Sequence, residues 1–133
     1  METMALPVTA LYAGLLGLFS LFLGIRITVM RARTKVVLGD GGNDELATAM
    51  RVFGNFMEYV PLCLALIYFA SDYYGYWPVA IASLVLLISR VLHAGGLLGF
   101  IPLGRTIGAA GTTIILAAAS AMCVYAGFTL KQF

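Results

Sequence analysis

The chain has 133 residues, of which 62% are hydrophobic and only 11% charged. Soluble domains carry about 25% charged residues, so an ordinary soluble globule is excluded and a single membrane domain spanning 1–133 is expected. A formal net charge of +2, with no basic run interleaved with aromatics, gives nothing for a nucleic acid to bind.

A membrane helix needs about 20 mostly apolar residues, and four segments meet that requirement. The first is expected over about 7–30, carrying Arg26 late in its course. The opening "METMALPVTA" lacks the positive n-region of a signal peptide, so this segment is expected to remain in the protein. "RARTKVVLGDGGND", polar and glycine-rich, reads as the loop to a second span over about 46–70. "SDYYGYWP" reads as a tight turn with an interfacial aromatic belt, leading to a third span over about 77–100. "GFIPLG" breaks the chain before a fourth span over about 105–130. The fold expected is therefore all-α, a polytopic four-helix bundle.

Orientation follows from the basic residues. Arg26, Arg31, Arg33 and Lys35 flank the first loop and Arg105 the third. The middle turn has only Asp72, and the C-terminus only Lys131. The first and third loops are expected in the cytoplasm, with both termini outside it. Gly14, Gly17 and Gly24, Gly95 and Gly99, and Gly108, Gly111 and Ala117 to Ala119 are small residues of the kind that let membrane helices approach closely. They lead to the expectation of an oligomer. Cys63 and Cys123 fall in apolar runs outside any CxxC or Cys/His cluster, and read as small buried hydrophobes. No metal site is indicated, because the single histidine has no second ligand beside it.

The second span contains "RVFGNFMEYVP" at 51–61. Arg51, Asn55 and Glu58 fall within about 60° of the helix circumference at 100° per residue. A charge inside the bilayer costs at least about 2.5–3.5 kcal/mol on insertion scales, so this stripe needs partners. In the third span, "SRVLHAGG" sets Arg90 and His93 on one face. The second span enters from the cytoplasm and the third returns to it, so both clusters occupy the same leaflet. Arg26, Arg31 and Arg105 share that level. Several arginines against one carboxylate, Glu58, suit an anionic ligand with carboxylates for Arg to grip and an amine for Glu58. Mutual neutralisation of Arg51 and Glu58 as structural glue is the competing reading. Dinucleotide, P-loop and serine-nucleophile motifs are all missing from the chain.

The pattern Arg51, Asn55, Glu58, Tyr59, Pro61 in the second of four spans resembles the superfamily of membrane-associated proteins in eicosanoid and glutathione metabolism (MAPEG). "RVLH" is similar to the prostaglandin synthase branch, and "LGDGGNDEL" with "FGNFMEYVP" to the short bacterial inner-membrane members. The resemblance covers essentially the whole chain. It implies a homotrimer in the inner membrane, with glutathione held between subunits near the cytoplasmic face. Arg51, Asn55, Glu58 and Tyr59 would contact the tripeptide, Arg90 and His93 would line the same cleft, and Arg31, with Arg26 as the alternative, would reach it from the first span. Arg105 would stabilise the thiolate, with Thr106 as a possible donor, for attack on a lipophilic electrophile or hydroperoxide in the bilayer. This chain departs from the family at Leu97, where well-studied members have a tyrosine, and at Gly54, where the prostaglandin branch has a basic residue. Two other functions compete: a non-catalytic lipid- or thiol-binding scaffold, and a small proton-coupled exporter. The exporter ranks lower, because its acid is usually isolated whereas Glu58 sits among arginines.

Overall fold

The computed structural model describes residues 5–129. Four helices follow one another: α1 Ala5–Thr34, α2 Asp44–Ala70, α3 Tyr76–Leu97 and α4 Gly104–Thr129. Each is long and apolar enough to cross a membrane, and together they form an all-α membrane bundle.

Local chemistry sets the helix ends. α1 runs past Met30, through Arg31 and Arg33, and stops where Lys35 takes a left-handed conformation (φ 57°). Cations in a last turn face the negative end of the helix dipole, which favours those extra residues. α2 begins at Asp44, before the expected start, because Asn43 caps it: Asn43 Oδ1 accepts from Leu46 N at 2.9 Å. Asp44 and Glu45 add negative charge to that first turn. Between α2 and α3, Ser71 N–H donates back to Ile67 O at 2.9 Å.

The third boundary departs from expectation. Hydropathy carries the span to Phe100, yet α3 ends at Leu97. Gly99 adopts φ +82°, a conformation that glycine reaches without steric cost. Phe100 N–H then donates to Gly95 O at 2.8 Å, folding the chain over toward α4. Leu130 and Lys131, included in the expected fourth span and tail, lie outside the described residues.

A core of Leu16, Leu23, Val52, Phe56, Cys63, Ile67 and Leu86 runs through the middle of the bundle. Outer faces remain greasy: Leu18, Phe22, Ile25, Ile114, Val124 and Phe128 are all exposed, as expected where lipid or another subunit replaces water. At the α2–α3 turn, Trp77 is exposed and packs edge-on against Tyr76. The Tyr74 hydroxyl donates to Met122 O at 2.9 Å, tying that end of the bundle to α4.

The most extensive helix packing is between α3 and α4. A Cβ on Gly108 would collide with the Ser89 carbonyl and His93 backbone, and one on Gly111 with the Ser89 side chain. Gly14 and Gly17 behave differently, since open space surrounds both. Within this chain they bring no helices together, so they are free to meet lipid or another copy. Cys63 is buried as expected, whereas Cys123 is only half-buried and places its Sγ 3.2 Å from Leu66 O.

Candidate functional site

The polar layer is built outward from Arg90. Its guanidinium stands in the middle of the bundle and is 2% exposed. Nη2 donates to Asn55 Oδ1 at 2.9 Å and approaches His93 Nδ1 at 3.4 Å. Nη1 approaches Thr112 Oγ1 at 3.4 Å, and the Phe56 ring lies 5.8 Å from the guanidinium carbon. One side chain thus links α2, α3 and α4. Arginine can only donate, so its contact with His93 makes Nδ1 the acceptor and leaves the ring proton on Nε2.

Beside this hub, sharing its partners Asn55 and His93, opens a cleft of about 610 Å³. α2 supplies Arg51, Asn55 and Glu58, with Met50 and Gly54 between them. His93 and Leu97 come from α3, and Arg105 from the start of α4. The α2 residues meet in the cleft because i, i+4 and i+7 return to one face. Arg105 reaches it because the turn at Gly99 brings the start of α4 back alongside the end of α3. Arg51, Glu58 and Arg105 are exposed, whereas His93 is buried. The hydrogen bonds of this layer run through Arg90, and none joins Arg51 to Glu58 among the described residues.

Three predicted residues stand apart from the cleft: Arg31, Tyr59 and Arg90, the last because its guanidinium is drawn inward by Asn55 and Thr112 and lines only a smaller chamber behind. Arg31 turns back onto its own loop: its Nη1 donates to Gly39 O at 2.9 Å and Val37 O at 3.2 Å. Nη2 lies 3.4 Å from Sδ of Met50, a residue of the cleft wall, but Arg31 does not line the cleft itself. Tyr59 lines the smaller chamber, with Arg90 and Thr112. Arg26 lies in a separate groove with Asp44 and Glu45.

Sequence reasoning missed Thr112 and Phe56, the neighbours that seat Arg90. A signal for Thr112 existed. Gly104, Gly108, Thr112 and Ile115 recur at three- and four-residue spacing and are all buried, so Thr112 is the polar member of the face that α4 turns inward.

The arrangement can hold a ligand bearing both charges. Arg51 and Arg105 offer donor forks to carboxylates, Glu58 accepts from an ammonium, and no intrachain ion pair competes for them among the described residues. The cleft volume lies within the 300–1,000 Å³ usual for small-molecule sites.

Comparison with known proteins agrees with this picture. The sequence profile of the MAPEG family matches residues 9–125, which include every residue of the cleft. Inner membrane protein YecN of Escherichia coli (strain K12) is 37% identical over 90 residues, covering 67% of this chain and 69% of that protein. YecN of Escherichia coli O6:H1 matches to the same extent. With the family profile spanning nearly all of a four-helix membrane bundle, the chain belongs to the MAPEG family.

Proposed function

We propose that this chain is a multi-pass inner-membrane protein that binds glutathione in the polar cleft and works as a transferase- or peroxidase-type enzyme on lipophilic acceptors. The observation that carries the reading is the composition of the cleft wall: two arginines and one carboxylate, all without intrachain ion pairs among the described residues. Glutathione has two carboxylates, an α-amine and a thiol, and its charges complement that wall.

In this reading Arg51 grips a carboxylate and Glu58 the α-amine, while Asn55 and His93 offer further hydrogen bonds. Arg105 faces the sulfur. A free thiol has a pKa of about 8.5, and a nearby cation lowers it, so Arg105 would raise the thiolate fraction at neutral pH, with Thr106 as a further donor. Glutathione supplies the thiolate that attacks a lipophilic electrophile or hydroperoxide. The chain supplies position and charge, and needs no nucleophile of its own.

The same proposal includes a homotrimer with the cleft between subunits and the α1–α2 loop in the cytoplasm. Support comes from the exposed, unpacked Gly14 and Gly17 on α1, from the basic cluster of Arg31, Arg33 and Lys35 at its end, and from the name of the YecN relative, an inner membrane protein. Leu97 on the cleft wall, where well-studied members have a tyrosine, favours one second reading, a lipid- or thiol-binding scaffold without turnover, because its side chain offers no hydrogen bond.

Calorimetry of the detergent-purified protein with glutathione tests the reading. Saturable binding by the wild type, weakened at least tenfold in Glu58→Gln, is expected. Absence of binding by wild type at millimolar thiol refutes it. Turnover of a generic electrophile separates the enzyme from the binding scaffold.

A further inference from the structure

Beside the cleft, and sharing Asn55 and His93 with it, lies a chamber of about 60 Å³. Its wall is polar on each helix that reaches it: Asn55 and Tyr59 from α2, Arg90 and His93 from α3, Thr112 and Thr113 from α4. Arg90 is the anomaly. It is 2% exposed, yet its hydrogen-bonded neighbours are an amide, a hydroxyl and an imidazole. Its Nε–H is buried with no partner at all. Arginine stays charged in proteins, and removing an ion from water costs several kcal/mol unless a counter-charge and full hydrogen bonding compensate. The acidic residue nearest in sequence to its α2 partner, Glu58, lines the cleft and not the chamber.

The hydrogen-bonding capacity left over in the chamber is rich in donors. Thr112 and Thr113 already donate their hydroxyl protons to Gly108 O and Ala109 O, at 2.8 and 3.0 Å. Asn55 Oδ1 and His93 Nδ1 are occupied by Arg90, which leaves the Asn55 amide and His93 Nε2 as donors. The Tyr59 hydroxyl adds a further donor, and the Arg90 Nε–H is buried without a partner. These donors and the Arg90 charge outweigh the two threonine oxygens and favour an anion.

We propose that this chamber binds one small monovalent inorganic anion, of halide size, as the counter-ion of Arg90. A single water needs about 10–15 Å³ by the same kind of measure, so the chamber admits a halide and a water or two. A peptide carboxylate with its attached chain is too large. Water alone would fill the space and leave the charge uncompensated. The chamber shares Asn55 and His93 with the cleft, whereas Arg90, Tyr59 and the two threonines belong to the chamber alone.

The test is thermal unfolding of the thiol-free protein in mild detergent, exchanging sodium gluconate for sodium chloride or bromide at constant ionic strength. Ligand that binds only the folded state raises the melting point in a saturable way, and that rise is expected with either halide. It is expected to vanish in Arg90→Gln. Should that variant fail to fold, Tyr59→Phe keeps the packing, removes one donor and is expected to raise the half-saturating halide concentration several-fold. Bromide should also give anomalous scattering beside Arg90 in a crystal. Identical melting in gluconate and halide overturns the proposal. So does a halide effect undiminished in Arg90→Gln and Tyr59→Phe, which marks a general salt effect. A halide effect that glutathione removes competitively assigns Arg90 to the thiol's own carboxylate and also overturns the separate site.

Discussion

Removing the Asn55 side chain tests whether Arg90 holds the helices together. Asn55 Oδ1 is the shortest hydrogen-bond partner of Arg90, at 2.9 Å, and it joins α2 to α3. Interhelical hydrogen bonds between polar groups in membranes average only about 0.6 kcal/mol, because the unfolded chain in lipid also finds partners. Two features raise the value here: the donor is charged, and it is almost wholly buried. Hydrogen bonds to charged groups contribute about 1.5–3 kcal/mol. Asn55→Ala is therefore expected to destabilise the bundle by about 1.5–3 kcal/mol, tenfold or more in the unfolding constant.

Thr112→Val supplies the internal scale. The Thr112 contact with Arg90 is longer, at 3.4 Å, and its hydroxyl proton is already donated to Gly108 O. Its loss is expected to cost about 0.5–1.5 kcal/mol, as for an ordinary hydrogen bond. Glu58→Gln, which breaks no intrachain hydrogen bond or ion pair among the described residues, should stay within about 0.5 kcal/mol of wild type. Equilibrium unfolding in mixed micelles ranks the variants. Equal losses for Asn55→Ala and Glu58→Gln, or a loss below 0.5 kcal/mol for Asn55→Ala on this scale, would refute the assignment of Arg90 as the hub.

Four further outcomes are expected. Gly108→Ala should destabilise by about 1–3 kcal/mol, the range for overpacking, because its Cβ meets the Ser89 carbonyl and the His93 backbone; unfolding in mixed micelles measures it. Gly14→Leu should leave subunit stability nearly unchanged, since nothing of its own chain lies near, but should reduce the proposed trimer to smaller species in native mass spectrometry. Arg51→Ala should weaken glutathione binding about tenfold to a hundredfold, the scale of losing a hydrogen bond to a charged group, with the melting point of the free protein little changed. Reporter fusions at Gly41 should be active only on the cytoplasmic side, and activity outside would reverse the proposed orientation.

What could be read from the sequence depended on which physical signal was local. The spans were legible because twenty apolar residues in a row have few other uses. The end of α3 was not, because hydropathy stays high through Leu98, Phe100 and Ile101 while the backbone turns at Gly99. Hydropathy reports depth in the membrane and says nothing of whether the chain is helical there. The shared face of Arg51, Asn55 and Glu58 followed from helix periodicity alone. The conduct of Arg31 could not follow from it. A long flexible side chain that folds back onto carbonyls six and eight residues later depends on loop geometry that leaves no periodic trace.

Structural glue and the proposed ligand site fall on different side chains. Helix geometry separates them. Asn55 is half-buried and turned toward α3, where it engages Arg90, while Arg51 and Glu58 flank it on the exposed rim. Arg90 and Thr112 complete the adhesive part across α3 and α4. The competing reading set Arg51 against Glu58 as glue, although two helical turns separate them. The hydrogen bond that joins α2 to α3 in this layer is that of Asn55 with Arg90, an amide with a cation. Because a neutral amide carries the structural contact, Glu58 keeps its charge available to the cleft. Arg51 and Arg105, on the same wall, keep theirs. Were Glu58 the partner of Arg90, the bundle would have a compensated interior and no carboxylate left to meet an amine. Asparagine at position 55 thus leaves Glu58, the acidic residue of the cleft wall, free for the proposed ligand.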